Sequence, residues 1–172
     1  MIEVHTGEVV EVKAGEKAVV LEGGEVVVLM LGHAVVLDGG KAIVEDGGGK
    51  AIVLEGGHAE VYAGGIGVVE AGGTVTVLEG GHADVRNGGF AEVYAGGEAQ
   101  VYEGGRAEVH DGGKAWVCEG GFAEVFKNGF AEVYEGGRAH VHAGGEIDNY
   151  GDDSLIEFDD DDTVAEDLAP SI

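Results

Sequence analysis

Along most of this chain, apolar residues recur two positions apart and then pause over a polar, glycine-rich stretch. The unit is eight residues long, Gly-Gly-x-Ala-x-Val-x-x, and reads most plainly from Gly88 through GGFAEVYA, GGEAQVYE, GGRAEVHD and GGKAWVCE. Five copies fill 7–46 and twelve fill 48–143, with one residue inserted at Gly47. The sixth position is Val in all seventeen copies, from Val12 to Val141, and the fourth is Ala in thirteen. Side chains two apart on a strand share a face. The Ala-x-Val pair therefore predicts an inward face, and positions three, five and seven predict an outward one. Those outward positions carry Lys, Glu, His, Arg, Tyr and Phe, which must meet water or a partner. A helix is untenable, because two glycines in every eight residues cost about 2 kcal/mol per repeat relative to alanine.

A five-residue strand and a three-residue corner, repeated, predict an all-β fold: a single-chain β-solenoid whose coils stack about 4.8 Å apart. One repeat cannot bury its own apolar face, so neighbouring coils must supply the stability. The outward and corner residues of 88–111 recur unevenly in later copies. Of twelve positions, six match at an offset of 32 and three at 16, against one each at 8 and 24. That pattern predicts two strands and 16 residues per coil, within a duplicated 32-residue unit. An intertwined trimeric β-helix is the alternative.

The repeat resembles two known kinds of solenoid. One is the Val-x-x-Gly-Gly-x-x-x-Val pattern of autotransporter adhesin passengers, matched by VYAGGEAQV at 93–101. The other is the Gly-x-Ala-x-Val-x repeat of hexapeptide left-handed helices, lengthened here by two. The period of eight is also similar to that of octapeptide trimeric β-helices of phage tail needles, with a different valine–glycine spacing. The resemblance spans about 7–145, implies fold alone and assigns no functional residue.

The chain divides into a lead-in over 1–6, the solenoid over 7–145 and an acidic cap or tail over 146–172, where the valine due at 149 is Asn149. Copies over 7–46 are more apolar outside than the rest. Leu29, Leu31, Val35 and Leu37 there are candidates for self-association into a homo-oligomer, since apolar residues on both faces of a strand call for cover on both sides.

Composition sharpens this picture. Of 35 glycines, 32 fall at repeat positions one and two, counting Gly144 and Gly145 as the next corner. Glycine accepts the positive φ of tight corners. The net charge is −25, from 34 Asp and Glu against 9 Lys and Arg. Eleven of the acids lie in 146–172, which has no Lys or Arg. No apolar run approaches the ~18 residues of a membrane span. Met1–His5 lacks the basic and apolar regions of a signal peptide, and the expectation is a cytoplasmic protein, phage encoding being one source that fits.

The chemistry looks non-enzymatic. The only serines, Ser154 and Ser171, lie outside the repeat, and Cys118 has no histidine beside it on its own face. A calcium ladder is not expected, because the slot that would hold its Asp carries the inward Val. His140 and His142 point the same way, but no third ligand is evident, so no metal or other cofactor is expected.

Two functional classes remain. The first is an acidic decoy that resembles nucleic acid and inhibits a nucleic-acid-binding protein, of anti-restriction or anti-CRISPR type. Its partner would be a basic protein surface and not nucleic acid itself, given the sign of the charge. Glu60, Glu92, Glu108 and Glu124, stacked at position five, and Asp159, Asp160, Asp161 and Asp162 in the tail are the candidate contacts. The second is a structural or adhesive rod, such as a phage fibre segment or surface spacer.

Overall fold

The computed structural model describes residues 1–159. Twenty strands run in chain order from β1 (Ile2–Val4) to β20 (Leu155–Phe158). Odd-numbered strands form one ten-stranded parallel sheet and even-numbered strands form the other. Phe90 lies in register between Thr74 and Arg106, each 16 residues away. The chain is therefore a β-solenoid of two strands per coil that closes each coil on itself; the intertwined trimer is not formed. Two coils take one extra residue: His33 pairs with Lys50 around Gly47, and Arg138 pairs with Leu155.

The interior is two facing ladders of small side chains. Residues such as Ala91, Val93, Ala99 and Val101 are fully buried, and among the described residues no polar or charged residue is buried. Small cores tolerate little change in volume. At β9 (Ile66–Val69) and β10 (Thr74–Val77) the repeat departs from Ala at position four on both sheets, with Gly67 facing Val75. A Cβ on Gly67 would stand 3.1 Å from Val75 Cγ2 and from Val61 Cγ2. The missing methyl makes room for the larger valine. Gly67→Ala alone is expected to cost about 1 kcal/mol by crowding, and Val75→Ala alone about 2 kcal/mol by leaving a void. The double variant restores the repeat's usual Ala–Ala pair and should cost clearly less than the sum, a coupling that urea denaturation of the four proteins measures.

Each corner is a four-residue turn closed by a hydrogen bond, as where Gly97 N–H donates to the Tyr94 carbonyl at 2.8 Å. The third residue of the turn has positive φ (Gly96, 73°), the signature of a type II turn. Its N–H is not wasted: Gly80 donates to the Gly96 carbonyl one rung on, at 2.9 Å. The second glycine answers a different demand. A Cβ on Gly97 would stand 2.7 Å from the Val77 carbonyl oxygen, and one on Gly24 would stand 2.6 Å from that of Val4. The exceptions sort accordingly. Leu31 and Asn128 take the positive-φ place, at 56° and 59°. Glu8 and Glu16 take the close-approach place, but only in the first coil, where no carbonyl of an earlier rung stands. Their carboxylates accept from His5 N–H and Lys13 N–H, each at 2.8 Å. In the next coil the equivalent N–H groups of Leu21 and Leu29 bond the carbonyls of Val4 and Val12, each at 2.9 Å. The two glutamates thus stand in for a missing rung and blunt an open sheet edge.

The coil does not stop where the Val pattern stops. Residues 146–158, read from sequence as the start of an acidic cap or tail, include β19 (Glu146–Asn149) and β20, which pair in register on the preceding coil. Ile147 and Ile156 take the inward places and pack against the core. Asp160, Asp161 and Asp162 lie outside the described residues.

Candidate functional site

The outer face of the even sheet carries the expected column at position five: Glu60, Thr76, Glu92, Glu108, Glu124 and His140 stand one above another, and Glu157 follows. The structure leaves only part of this column as free charge. Lys41 Nζ lies 2.7 Å from Glu60 Oε1, and the Tyr62 hydroxyl donates to Oε2 of the same carboxylate at 3.0 Å. The Lys41 contact holds the Glu60 carboxyl below its usual range. Arg106 pairs with Glu124 and stacks its guanidinium over Phe122, 5.4 Å from the ring centroid. Of the four candidate glutamates, Glu92 and Glu108 alone have no Lys or Arg partner among the described residues. Beside them at position seven runs a stack of rings: Tyr94 on His110 at 4.7 Å, His110 on Phe126 at 4.9 Å and Phe126 on His142 at 4.4 Å. The column is a half-neutralised, aromatic-flanked sheet face.

A larger block of free charge sits at a corner. The corners leading from odd to even strands carry Glu22, Asp38, Glu55, Ala71, Asn87, Glu103, Glu119 and Glu135 at position eight, one per rung. All six acids of this ridge are exposed, apart from the rest of the corner they stack on, and none has an ion-pair partner among the described residues. The stacking is direct: a Cβ on Gly39 would meet Glu22, one on Gly120 would meet Glu103, and one on Gly136 would meet Glu119. The opposite corners carry Ala14, Met30, Asp46, Ala63, Glu79, Ala95, Asp111, Lys127 and Ala143, a mixed and weakly charged edge. The solenoid is therefore electrostatically one-edged. An eight-residue register merges the two edges, and only the 16-residue coil separates them, which is why the ridge is hidden in the linear repeat.

No protein-family model matches the chain, and no curated protein matches it. Among solved structures, the chain is similar to the crystal structure of a TibC-catalysed, hyper-glycosylated TibA fragment. The identity is 25% over 91% of this chain and 80% of that one, with a TM-score of 0.36.

At the far end of the ring stack, Asp159 closes the last coil. His140 Nε2 lies 2.8 Å from Asp159 Oδ1 and His142 Nδ1 lies 3.0 Å from Oδ2. The hydrogen bond raises the His140 pKa, and the two imidazoles together lower that of Asp159. The sequence leaves the two histidines without a third group because strict register puts Phe158 beside His142. The one-residue insertion in the last coil brings Asp159 there instead.

The four self-association candidates do not form one patch. Val35 lies in an outer column of the odd sheet with Val19, Ile52 and Val68, and Leu37 follows it on that sheet. Leu29 follows a strand of the even sheet, and Leu31 is a corner residue. Cys118 is half-buried among the odd-sheet outer residues, where burial raises its thiol pKa. That shift lowers the thiolate fraction and with it the nucleophilicity.

Proposed function

We propose that the chain is a non-enzymatic acidic binding protein that occupies a basic, nucleic-acid-binding surface on a partner protein. One observation carries the reading. Residues 1–159 hold 29 Asp and Glu against 9 Lys and Arg. Ten rungs at about 4.8 Å make a rod of about 48 Å, so the rod bears about one net negative charge per 2.4 Å of axis. Duplex DNA bears one per ~1.7 Å. A rigid rod of similar linear charge attracts a cationic groove through the same long-range field, and the corner ridge supplies exposed charge with no ion-pair partner among the described residues. The test is capture of partners from a bacterial lysate at 50 and 200 mM salt, followed by elution with duplex DNA. The expected result is retention of nucleic-acid-binding proteins that DNA and high salt both displace. Retention that neither displaces, or none at all, sinks the proposal.

A structural rod is the second reading, favoured by the half-buried apolar column Val19, Val35 and Ile52 on the odd sheet. It requires side-by-side assembly, so sedimentation of the same preparation separates the two: stable oligomers support the rod and a monomer favours the decoy.

A further inference from the structure

The C-terminal coil brings together three groups that the rest of the solenoid keeps apart. His140 and His142 project from one edge of β18 (Arg138–Val141) and its following residue, and Asp159 reaches them from the next rung. One donor atom from each residue lies within 4.8 Å of the others. We propose that His140, His142 and Asp159 form a binding site for a divalent transition-metal ion of the zinc class, with water completing the coordination.

The donor set is right for such an ion. Two imidazole nitrogens and one carboxylate oxygen suit Zn²⁺, Co²⁺, Ni²⁺ and Cu²⁺, whereas Ca²⁺ and Mg²⁺ prefer oxygen alone. The geometry is close as well. Ligands about 2.0–2.2 Å from a tetrahedral zinc stand roughly 3.4 Å from one another. Asp159 now lies 2.8 and 3.0 Å from its two histidine partners. Opening these pairs by about half an ångström, with the three donor atoms drawn to that common spacing from within 4.8 Å of one another, makes room for the ion, and the side chains are about one-third exposed, so it can enter from water.

The surroundings orient the ligands. His140 turns Nε2 toward Asp159 and Nδ1 toward Glu157 Oε2, 3.9 Å away. At that distance Glu157 adds negative charge beside the far nitrogen without a hydrogen bond to it, and the ring is held by its bond to Asp159. His142 is held flat against Phe126, with ring centroids 4.4 Å apart and planes 9° from parallel. Both imidazoles are thus placed before any ion arrives. Pairs such as His82 with Asp84, or His110 with Glu108, have one histidine and one carboxylate and no third ligand among the described residues, so the proposal is confined to the last coil.

Zinc titration followed by calorimetry, in buffer with millimolar Ca²⁺ to saturate the weak acidic sites, tests this. One equivalent is expected to bind with a dissociation constant in the micromolar range. His140→Ala and Asp159→Asn should each weaken it at least tenfold, and His58→Ala should leave it unchanged. Because both substitutions also remove hydrogen bonds that close the last coil, the wild-type protein is also read directly. Zinc should shift the imidazole nitrogen resonances of His140 and His142 and spare those of the other five histidines, and Co²⁺ should give visible d–d bands. No saturable binding above the Ca²⁺ background overturns the proposal. Equal shifts at all seven histidines, or binding that both variants retain, overturn it too.

Discussion

Replacing Gly97 by alanine should destabilise the protein by about 3 kcal/mol or more, while the same change at Gly96 costs about 1–2 kcal/mol. The two residues are adjacent, equally glycine and equally repeated, so composition alone expects equal effects. The difference lies in what each lacks a side chain for. Gly96 needs φ of 73°, a conformation that costs an ordinary residue about 1–2 kcal/mol. Its new Cβ would touch Glu79 Cγ at 3.0 Å, the middle of a flexible exposed chain that can swing away. Gly97 lies against backbone. Its Cβ would meet the Val77 carbonyl oxygen at 2.7 Å and its carbon at 3.0 Å. That carbonyl already accepts from Tyr94 N–H at 2.9 Å, so relief requires separating two rungs of a parallel sheet. Overpacking against rigid atoms sits at the upper end of the usual 1–3 kcal/mol. Urea denaturation of the two single variants measures the gap, and equal losses would show that the second glycine is not there for the carbonyl.

This contrast also shows where the sequence was readable. Period, inward positions, two strands per coil and the all-β solenoid all follow from residues that repeat because each rung meets the same neighbours. The readable part is the invariant part. The double role of the glycine pair is not visible in the motif, since both positions read as Gly; it emerges from the exceptions, Leu31 and Asn128 at one place, Glu8 and Glu16 at the other. The candidate column is stacked as the repeat predicts, and two of its four glutamates carry a basic partner. Lys41 and Arg106 come from the preceding rung at position three, and only the folded register places them on Glu60 and Glu124. Asp159 was assigned to a tail for a similar reason, because a one-residue insertion moves it beside His142 without altering any recognisable motif.

Neutralising the corner ridge should make the fold more stable and the proposed binding weaker. The variant carries Glu22→Gln, Asp38→Asn, Glu55→Gln, Glu103→Gln, Glu119→Gln and Glu135→Gln, and its net charge falls from −25 to −19. The ridge consists of two triplets of acids, separated by Ala71 and Asn87. Within a triplet, neighbours sit one rung apart, about 4.8 Å, and like charges directly opposite one another destabilise by about 0.2–1 kcal/mol per pair. Four such pairs give a gain of roughly 1–4 kcal/mol at low salt. Between triplets the gap is three rungs, about 14 Å, beyond the ~10 Å Debye length at 0.1 M. The two triple variants should therefore contribute independently at that ionic strength, and the whole gain should fade towards 1 M salt. The binding effect runs the other way. Each charge withdrawn from a cationic groove removes one salt-dependent contact, so the loss of affinity should be about 10²-fold at 50 mM salt and shrink as salt rises. Thermal unfolding across a salt series, with affinity for any partner captured by the wild-type chain, reads both quantities. A variant that is more stable yet binds as before would mean that the ridge only keeps the rod soluble, because acids retained at a cost to stability would then have no part in recognition.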